Sequence, residues 1–378
     1  MKSFYKIITI FIITLLASPV NAFDTIARSA MVIDQTTGTI LMAKDADRRV
    51  PPASMSKLMT LFMLFEALRD ERIAMDTEFL VSERATKIGG STMFLREGER
   101  VSVRDLIQGI IVQSGNDACI TVAENIAGTE TAFADQMTKR AIELGMNNSS
   151  FGNSTGWPDP LQRMSARDLV TIANIIITEF PNYYPFFAQT SFTWDGVKQN
   201  NRNPLLPLGI GADGLKTGHT NESGYGLIGS VEKNNRRVSI VINGLNSKKK
   251  RTFESKRLFN IVFRETALLS LFNDNKSLAK ANVWLGKQPQ VNLVAEKAFK
   301  KIISPLELNK TKIKIQWQDP ISAPIAKGDK VGNIFIDIPG KELIKQNIVS
   351  SQSIDTMSTF MKAKSILMYL LYGEFVVK

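Results

Sequence analysis

The sequence predicts an α+β protein in which helices mix with antiparallel strands, followed by a small β-rich module and a terminal amphipathic helix. Three observations carry this. Apolar residues recur at helical spacing, most clearly at Met55, Leu58, Met59, Leu61, Phe62, Met63, Phe65 and Leu68. Two apolar runs, 225–231 and 237–245, are joined by Lys233-Asn234-Asn235-Arg236, a hairpin signal that makes those strands antiparallel neighbours. Past about Ala281 the pattern changes to short alternating segments divided by Gly, Pro, Asn and Asp.

Composition narrows the class. A chain of 378 residues has room for two or three domains and a substantial core. Its 44% apolar and 22% charged content is ordinary for a globular protein. The formal charge of +11 suits an anionic partner. With no zinc-binding cysteine pattern and no aromatic-basic RNA signature, nucleic acid is not an expected partner. One cysteine, Cys119, excludes an intramolecular disulfide and reads as a small core residue. One histidine and one cysteine do not make a usual zinc site, so neither metal nor cofactor is expected. Residues 1–22 read as a secretory signal: Lys2 and Lys6, an apolar run over 7–17, a break at Ser18-Pro19, and Val20-Asn21-Ala22 for cleavage after Ala22. That run is too short for a comfortable membrane span. Removing Lys2 and Lys6 lowers the charge from +11 to +9.

In chain order, residues 29–34 and 39–43 flank Gln35-Thr36-Thr37-Gly38 and read as a β-hairpin with a Gly-bearing turn. Residues 45–53 are irregular, and Pro52, with its fixed φ, lets a helix begin at about Ser54. Residues 78–80 and 101–103 read as short strands, with the flexible loop Ile88-Gly89-Gly90-Ser91 between them. A helix over 105–112 stops at Gln113-Ser114-Gly115-Asn116 and resumes over 118–127; another, over 131–144, closes on Gly145. Residues 147–162, rich in Asn, Ser, Gly and Pro, form a loop, and Ser165 caps a helix running through 169–177. Residues 192–194 read as a strand, 200–206 as irregular, and 255–272 as a closing helix. One large domain is therefore expected over 23–281 and a β-rich domain, with nothing catalytic in it, over 282–350. Its strands are expected at 291–293, 312–317, 331–338 and 344–349. Within 351–378, a helix over 353–372 gathers Ile354, Met357, Phe360, Met361, Leu367, Met368 and Leu371 on one side and Asp355, Thr359 and Lys362 opposite. It is too short in apolar length to span a bilayer and reads as an interfacial anchor.

Chemistry concentrates at Ser54-Met55-Ser56-Lys57. Residues i and i+3 share a helix face, so Ser54 and Lys57 are neighbours at a helix N-terminus, where free N–H groups favour developing negative charge. A hydroxyl, an amine and oriented N–H donors suit covalent acyl transfer, whereas an N-cap serine beside a solvated lysine is the plain structural alternative. Two further motifs decide: Ser114-Gly115-Asn116 and Lys216-Thr217-Gly218. This ordered triplet marks penicillin-binding proteins and class A β-lactamases.

The chain resembles the D-alanyl-D-alanine carboxypeptidases among the low-molecular-weight penicillin-binding proteins. The resemblance extends to Pro-Ala-Ser-Met-Ser-Lys-Leu-Met-Thr, Gln-Ser-Gly-Asn-Asp-Ala-Cys and Lys-Thr-Gly-His-Thr, and to the β-rich module and terminal helix. It implies a serine β-lactamase/transpeptidase-like domain. It also implies catalytic Ser54, Lys57 and Ser114, with Ser114 bridging Lys57 and Lys216. Asn116 would then hold the substrate's peptide amide, and Lys216 and Thr217 its terminal carboxylate. Gly218 would let the substrate strand approach, and the N–H groups of Ser54 and His219 would form the oxyanion hole. His219 is the only histidine and no G-x-S-x-G elbow exists, so a backbone role is expected of it. Loop 153–163 matches the family's omega-like loop but lacks the glutamate of class A β-lactamases. Trp157 stands in it where a smaller apolar residue or a histidine is expected, and Asp159 reads as a turn former. Arg251 reads as the end of a solvated basic run, with assistance to carboxylate binding as the alternative. The implied partners are peptidoglycan stem peptides, β-lactams as covalent inhibitors and the inner-membrane surface, at a periplasmic site on the outer face of the cytoplasmic membrane. A D,D-endopeptidase or weak β-lactamase of the same fold, or a non-catalytic cell-wall-binding protein, is the alternative.

Overall fold

Five antiparallel strands build the sheet that carries the motifs. From edge to edge they are Thr39–Lys44, Ser29–Asp34, Arg236–Leu245, Gly224–Lys233 and Ala212–Thr220. This computed structural model describes residues 24–272 and 276–373; the expected signal segment, 1–22, lies outside the described residues. The N-terminal hairpin pairs with a strand far along the chain, Ala30 opposite Ile242. The expected hairpin is present, and its two central residues, Asn234 and Asn235, hold φ at 54° and 57°. Positive φ at both positions gives the turn a twist that matches its strands, and asparagine tolerates it better than most residues.

Both faces of the sheet are covered, and alternation along each strand sorts the side chains. Met31, Ile228 and Val241 face one core with Met55, Leu58, Phe62 and Phe65. Ala30, Val32, Leu227, Ile240 and Ile242 face the other, against Leu258, Phe259 and Val262 of the helix Lys248–Glu265. The Ser54 segment begins as a 3₁₀ turn, Ala53–Ser56, and continues as the α-helix Lys57–Arg69. That helix is buried nearly all round, so its apolar residues are not confined to one stripe.

Most expected elements are present, with shifted ends. Three expectations are corrected. The closing helix spans Lys248–Glu265, not 255–272; after it Ala267–Leu271 is a strand paired with Phe299–Ile303. Leu269 therefore packs with Ile303 in the second module's core. The strand Ser191–Trp194 has a partner, Val197–Asn200, that its polar sequence Val-Lys-Gln-Asn conceals. The terminal helix spans Thr359–Tyr372 only: Ile354, expected on its apolar side, is buried in the β-rich module and bridges Ile325. That module is a six-stranded sheet in the order Lys312–Trp317, Lys330–Asp337, Ile344–Ser350, Gln290–Ala295, Ala279–Trp284, Ile321–Ser322.

Candidate active site

The Ser54 turn lies against the edge strand Ala212–Thr220. A β-carbon on Gly218 would stand 2.9 Å from the Pro52 carbonyl oxygen and 3.2 Å from the Ala53 β-carbon. The glycine is thus required by the protein's own packing, a different reason from the substrate approach expected of it. Being an edge, this strand leaves one row of backbone N–H and C=O groups free of the sheet, on which an extended peptide can pair.

Lys57 is fully buried, while Ser54 is partly exposed. Lys57 Nζ donates to Ser54 Oγ at 3.1 Å, to Asn116 Oδ1 at 2.7 Å and to the Thr155 carbonyl oxygen. Ser54 caps no helix: the 3₁₀ turn and the helix after it have no side-chain cap. Burial pushes the Lys57 amine down to about 8. Lys216, also buried, is held well below the usual lysine range, first by burial and then by the charges of Lys57 and Arg202. Burial is the largest cause for both lysines, and at Lys216 the charge of Lys57 adds to it.

Two side chains are held otherwise than expected. Ser114 Oγ is buried and has no hydrogen-bond partner among the described residues, so it does not bridge the two lysines here. Asn116 takes the place beside Lys57, and its Nδ2 donates to the Gly89 carbonyl oxygen at 2.8 Å. Both ends of the amide are engaged within the protein. Ser114 itself sits at φ 61° after a π-helical turn, Gly109–Gln113. A non-glycine residue in this region costs of order 1–3 kcal/mol and persists only where its surroundings enforce it. Here the Gly115 N–H donates to the Gly109 carbonyl, and the Asn116 N–H to that of Ser91.

Loop 153–163 closes the other wall. Asn153 Oδ1 accepts from the N–H groups of Thr155, Gly156 and Trp157 at 3.1, 2.8 and 3.1 Å. Trp157 lies over Gly89 and Gly90, where a β-carbon on Gly90 would meet its ring at 2.8 Å. Asp159 forms a turn, accepting from the Leu161 N–H at 2.7 Å. Thr217 is buried beside Lys216, and His219 is exposed and stacks on Tyr225 with ring centroids 3.9 Å apart. Burial, then Arg251 and Lys248, lowers the His219 imidazole below its ordinary range. Arg251 is not solvated: it is buried, its guanidinium 5.8 Å from the Tyr225 ring centroid.

Sequence reasoning missed three residues of the site. Arg202, from an irregular stretch, donates to Ser91 Oγ and adds its charge near both lysines. Asp117 accepts from the N–H groups of Met93 and Leu95 at 2.9 and 3.2 Å, tying the loop before them to the Asn116 helix. Gln162 Nε2 donates to Ser56 Oγ at 3.0 Å, joining the loop wall to the Ser54 turn. Only Asp117, beside Asn116 at a helix start, carried a signal.

The D-alanyl-D-alanine carboxypeptidase family model matches residues 17–247. The chain belongs to the D-alanyl-D-alanine carboxypeptidase family. A second model, the C-terminal domain of penicillin-binding protein 5, matches residues 268–356. Among relatives, the D-alanyl-D-alanine carboxypeptidase DacF of Bacillus subtilis is 33% identical over 344 residues, 89% of this chain and 88% of its own. Penicillin-binding protein 5 from Haemophilus influenzae has a similar structure, with TM-score 0.70 and 32% identity over 87% of this chain and 97% of its own. Penicillin-binding protein D2 from Listeria monocytogenes, in its ampicillin-bound form, matches with TM-score 0.58 and 29% identity over 63% of this chain and 97% of its own. The match of this carboxypeptidase family to the sheet and its motifs agrees with the fold expected from the triplet.

Proposed function

We propose that this enzyme is a serine-type D-Ala-D-Ala carboxypeptidase that trims peptidoglycan stem pentapeptides through an acyl-enzyme on Ser54. The observation that carries the reading is the buried, low-pKa Lys57 amine 3.1 Å from Ser54 Oγ. In its neutral form Lys57 takes the hydroxyl proton as Ser54 Oγ attacks the carbonyl carbon of the penultimate D-alanine. The N–H groups of Ser54 and His219 receive the developing oxyanion. The C–N bond then breaks, and the proton that Lys57 took passes by way of the Ser114 hydroxyl to the departing D-alanine nitrogen, a relay that requires Ser114 Oγ, unpartnered here, to meet both groups. Lys216 and Thr217 hold the terminal carboxylate. Water hydrolyses the ester and regenerates Ser54. β-Lactams acylate the same oxygen, in line with the ampicillin-bound relative.

The wall formed by loop 153–163 favours a carboxypeptidase over an efficient β-lactamase. Its one carboxylate, Asp159, is spent on a turn. Incubation with a D-Ala-D-Ala pentapeptide is expected to release D-alanine, and the Ser54→Ala protein to release none; equal release by both refutes the assignment.

Two segments of the chain support a periplasmic location. The N-terminal segment acts as a secretory signal, cut after Ala22, and delivers the enzyme to the periplasm. No helix among the described residues is long and apolar enough to cross a membrane. The helix Thr359–Tyr372 leaves Phe360, Leu367, Leu370 and Leu371 more than half exposed. Such a face lies along the outer surface of the cytoplasmic membrane as a peripheral anchor.

A further inference from the structure

We propose that a cavity ringed by Arg28, Arg48, Arg49 and Arg163 is a second recognition site, which binds carboxylates along the stem of the peptide cut at Ser54. The proposal rests on the carboxypeptidase reading and names what the rest of that substrate meets. The cavity, of about 260 Å³, lies where the strand Ser29–Asp34 begins and Arg236–Leu245 ends.

The hydrogen bonds that hold Arg28 and Arg49 go to neutral acceptors, and among the described residues Arg163 alone of the four faces a carboxylate. Arg28 Nε donates to the Gly244 carbonyl oxygen at 3.1 Å. A β-carbon at Gly244 would lie 2.5 Å from that Nε, and one at Gly224 2.9 Å from Arg28 Nη2. Both glycines hold positive φ, so two backbone positions make room for one arginine. Arg49 donates to Ser150 Oγ at 2.7 Å, and Arg163 to the carbonyl oxygens of Asp159 and Gln162 at 3.1 and 3.0 Å. These acceptors are neutral. Among the described residues the only carboxylate on the wall is Glu222, which is 3.5 Å from Arg163 and mostly exposed. Ser29 lies on the same wall, with its hydroxyl buried and unpartnered. Guanidinium groups pair with carboxylates bidentately, and a concave wall of one sign concentrates their field.

The site shares its walls with the catalytic cleft. Residues 50–51 line the cavity and run through Pro52 and Ala53 into Ser54, and Glu222 follows the Ala212–Thr220 strand. Three residues of chain reach at most about 10 Å, so one short peptide spans both places.

The test compares two synthetic pentapeptides ending in D-Ala-D-Ala, one with free carboxylates along its stem and one with those carboxylates amidated. The native enzyme is expected to prefer the acidic peptide in kcat/KM by about tenfold or more, the usual weight of a charge-assisted hydrogen bond. An Arg48→Gln/Arg49→Gln double variant is expected to bring that ratio towards one. The ratio is internal to each protein, so partial misfolding does not mimic the effect. Equal kcat/KM for both peptides in the native enzyme overturns the second site and leaves the carboxypeptidase reading standing. Release from neither peptide overturns the carboxypeptidase reading itself. Equilibrium binding of an acidic stem tripeptide lacking D-Ala-D-Ala then decides the cavity: binding that is lost in the double variant and weakened by salt supports it, and no binding overturns it.

Discussion

Lys57 shows how burial lowers the pKa of an ordinary side chain. An exposed lysine stays charged far above neutrality; this one is enclosed and its amine falls to about 8. At pH 7 about one molecule in ten then carries the neutral form. Because the protonated amine cannot accept the Ser54 proton, kcat/KM is expected to climb about tenfold per pH unit below pH 8 and to level off above it. A stopped-flow profile of β-lactam acylation checks this; a flat profile from pH 6 to 9 contradicts it. Lys57→Ala is expected to slow acylation by about 10² or more, since general-base assistance is worth that much. Ser54, Lys57, Ser114, Asn116 and Lys216 were singled out by three ordered motifs that together outweigh any one of them. Their hydrogen bonds were not legible. Nothing in the letters tells that Asn116 rather than Ser114 meets Lys57, since that depends on the φ of 61° at Ser114. Arg251 was misread because its three lysine neighbours suggest solvent, while one turn of helix carries it inward.

At the scale of elements, the site is a junction of a turn, a strand edge and a loop, each made close by glycine. Gly156 holds φ at +80°, and a β-carbon there would come within 2.1 Å of the Ala53 carbonyl oxygen and 2.7 Å of Ser56 Oγ. Gly156→Ala is expected to cost about 1–3 kcal/mol of stability and to displace the Ser54 turn. Thermal unfolding and β-lactam acylation rates, measured on one preparation, check it; an unchanged melting temperature with full activity contradicts it. Elements with strong periodicity or clear caps were legible: Ser165 caps its helix by accepting from the Asp168 N–H at 3.0 Å, as its position suggests. The strand Val197–Asn200 was not, because its stability comes from its partner and not from its own residues. The closing helix was extended too far, because Ala267–Leu271 is apolar enough to continue a helix, and its pairing with Phe299–Ile303 lies far along the chain.

For the molecule as a whole, the split into a motif-bearing sheet and a β-rich module was legible in the change of hydrophobic period. The exact seam was not, since Leu269 belongs by packing to the later core. The exposed apolar face of the helix Thr359–Tyr372 gives a prediction at this scale. Deleting residues 358–378 is expected to move the enzyme from the membrane fraction to the soluble periplasmic fraction while its acylation rate stays within about twofold, since the catalytic motifs lie in the other core. Retention in the membrane fraction would refute the anchor. The account depends above all on Ser54 as the oxygen that Lys57 activates. Mass spectrometry of the intact protein after exposure to benzylpenicillin tests this most directly. One added penicillin mass, mapped to the peptide containing Ser54 and absent from Ser54→Ala, is the result expected; an adduct that persists on Ser54→Ala, or none on the native enzyme, contradicts it.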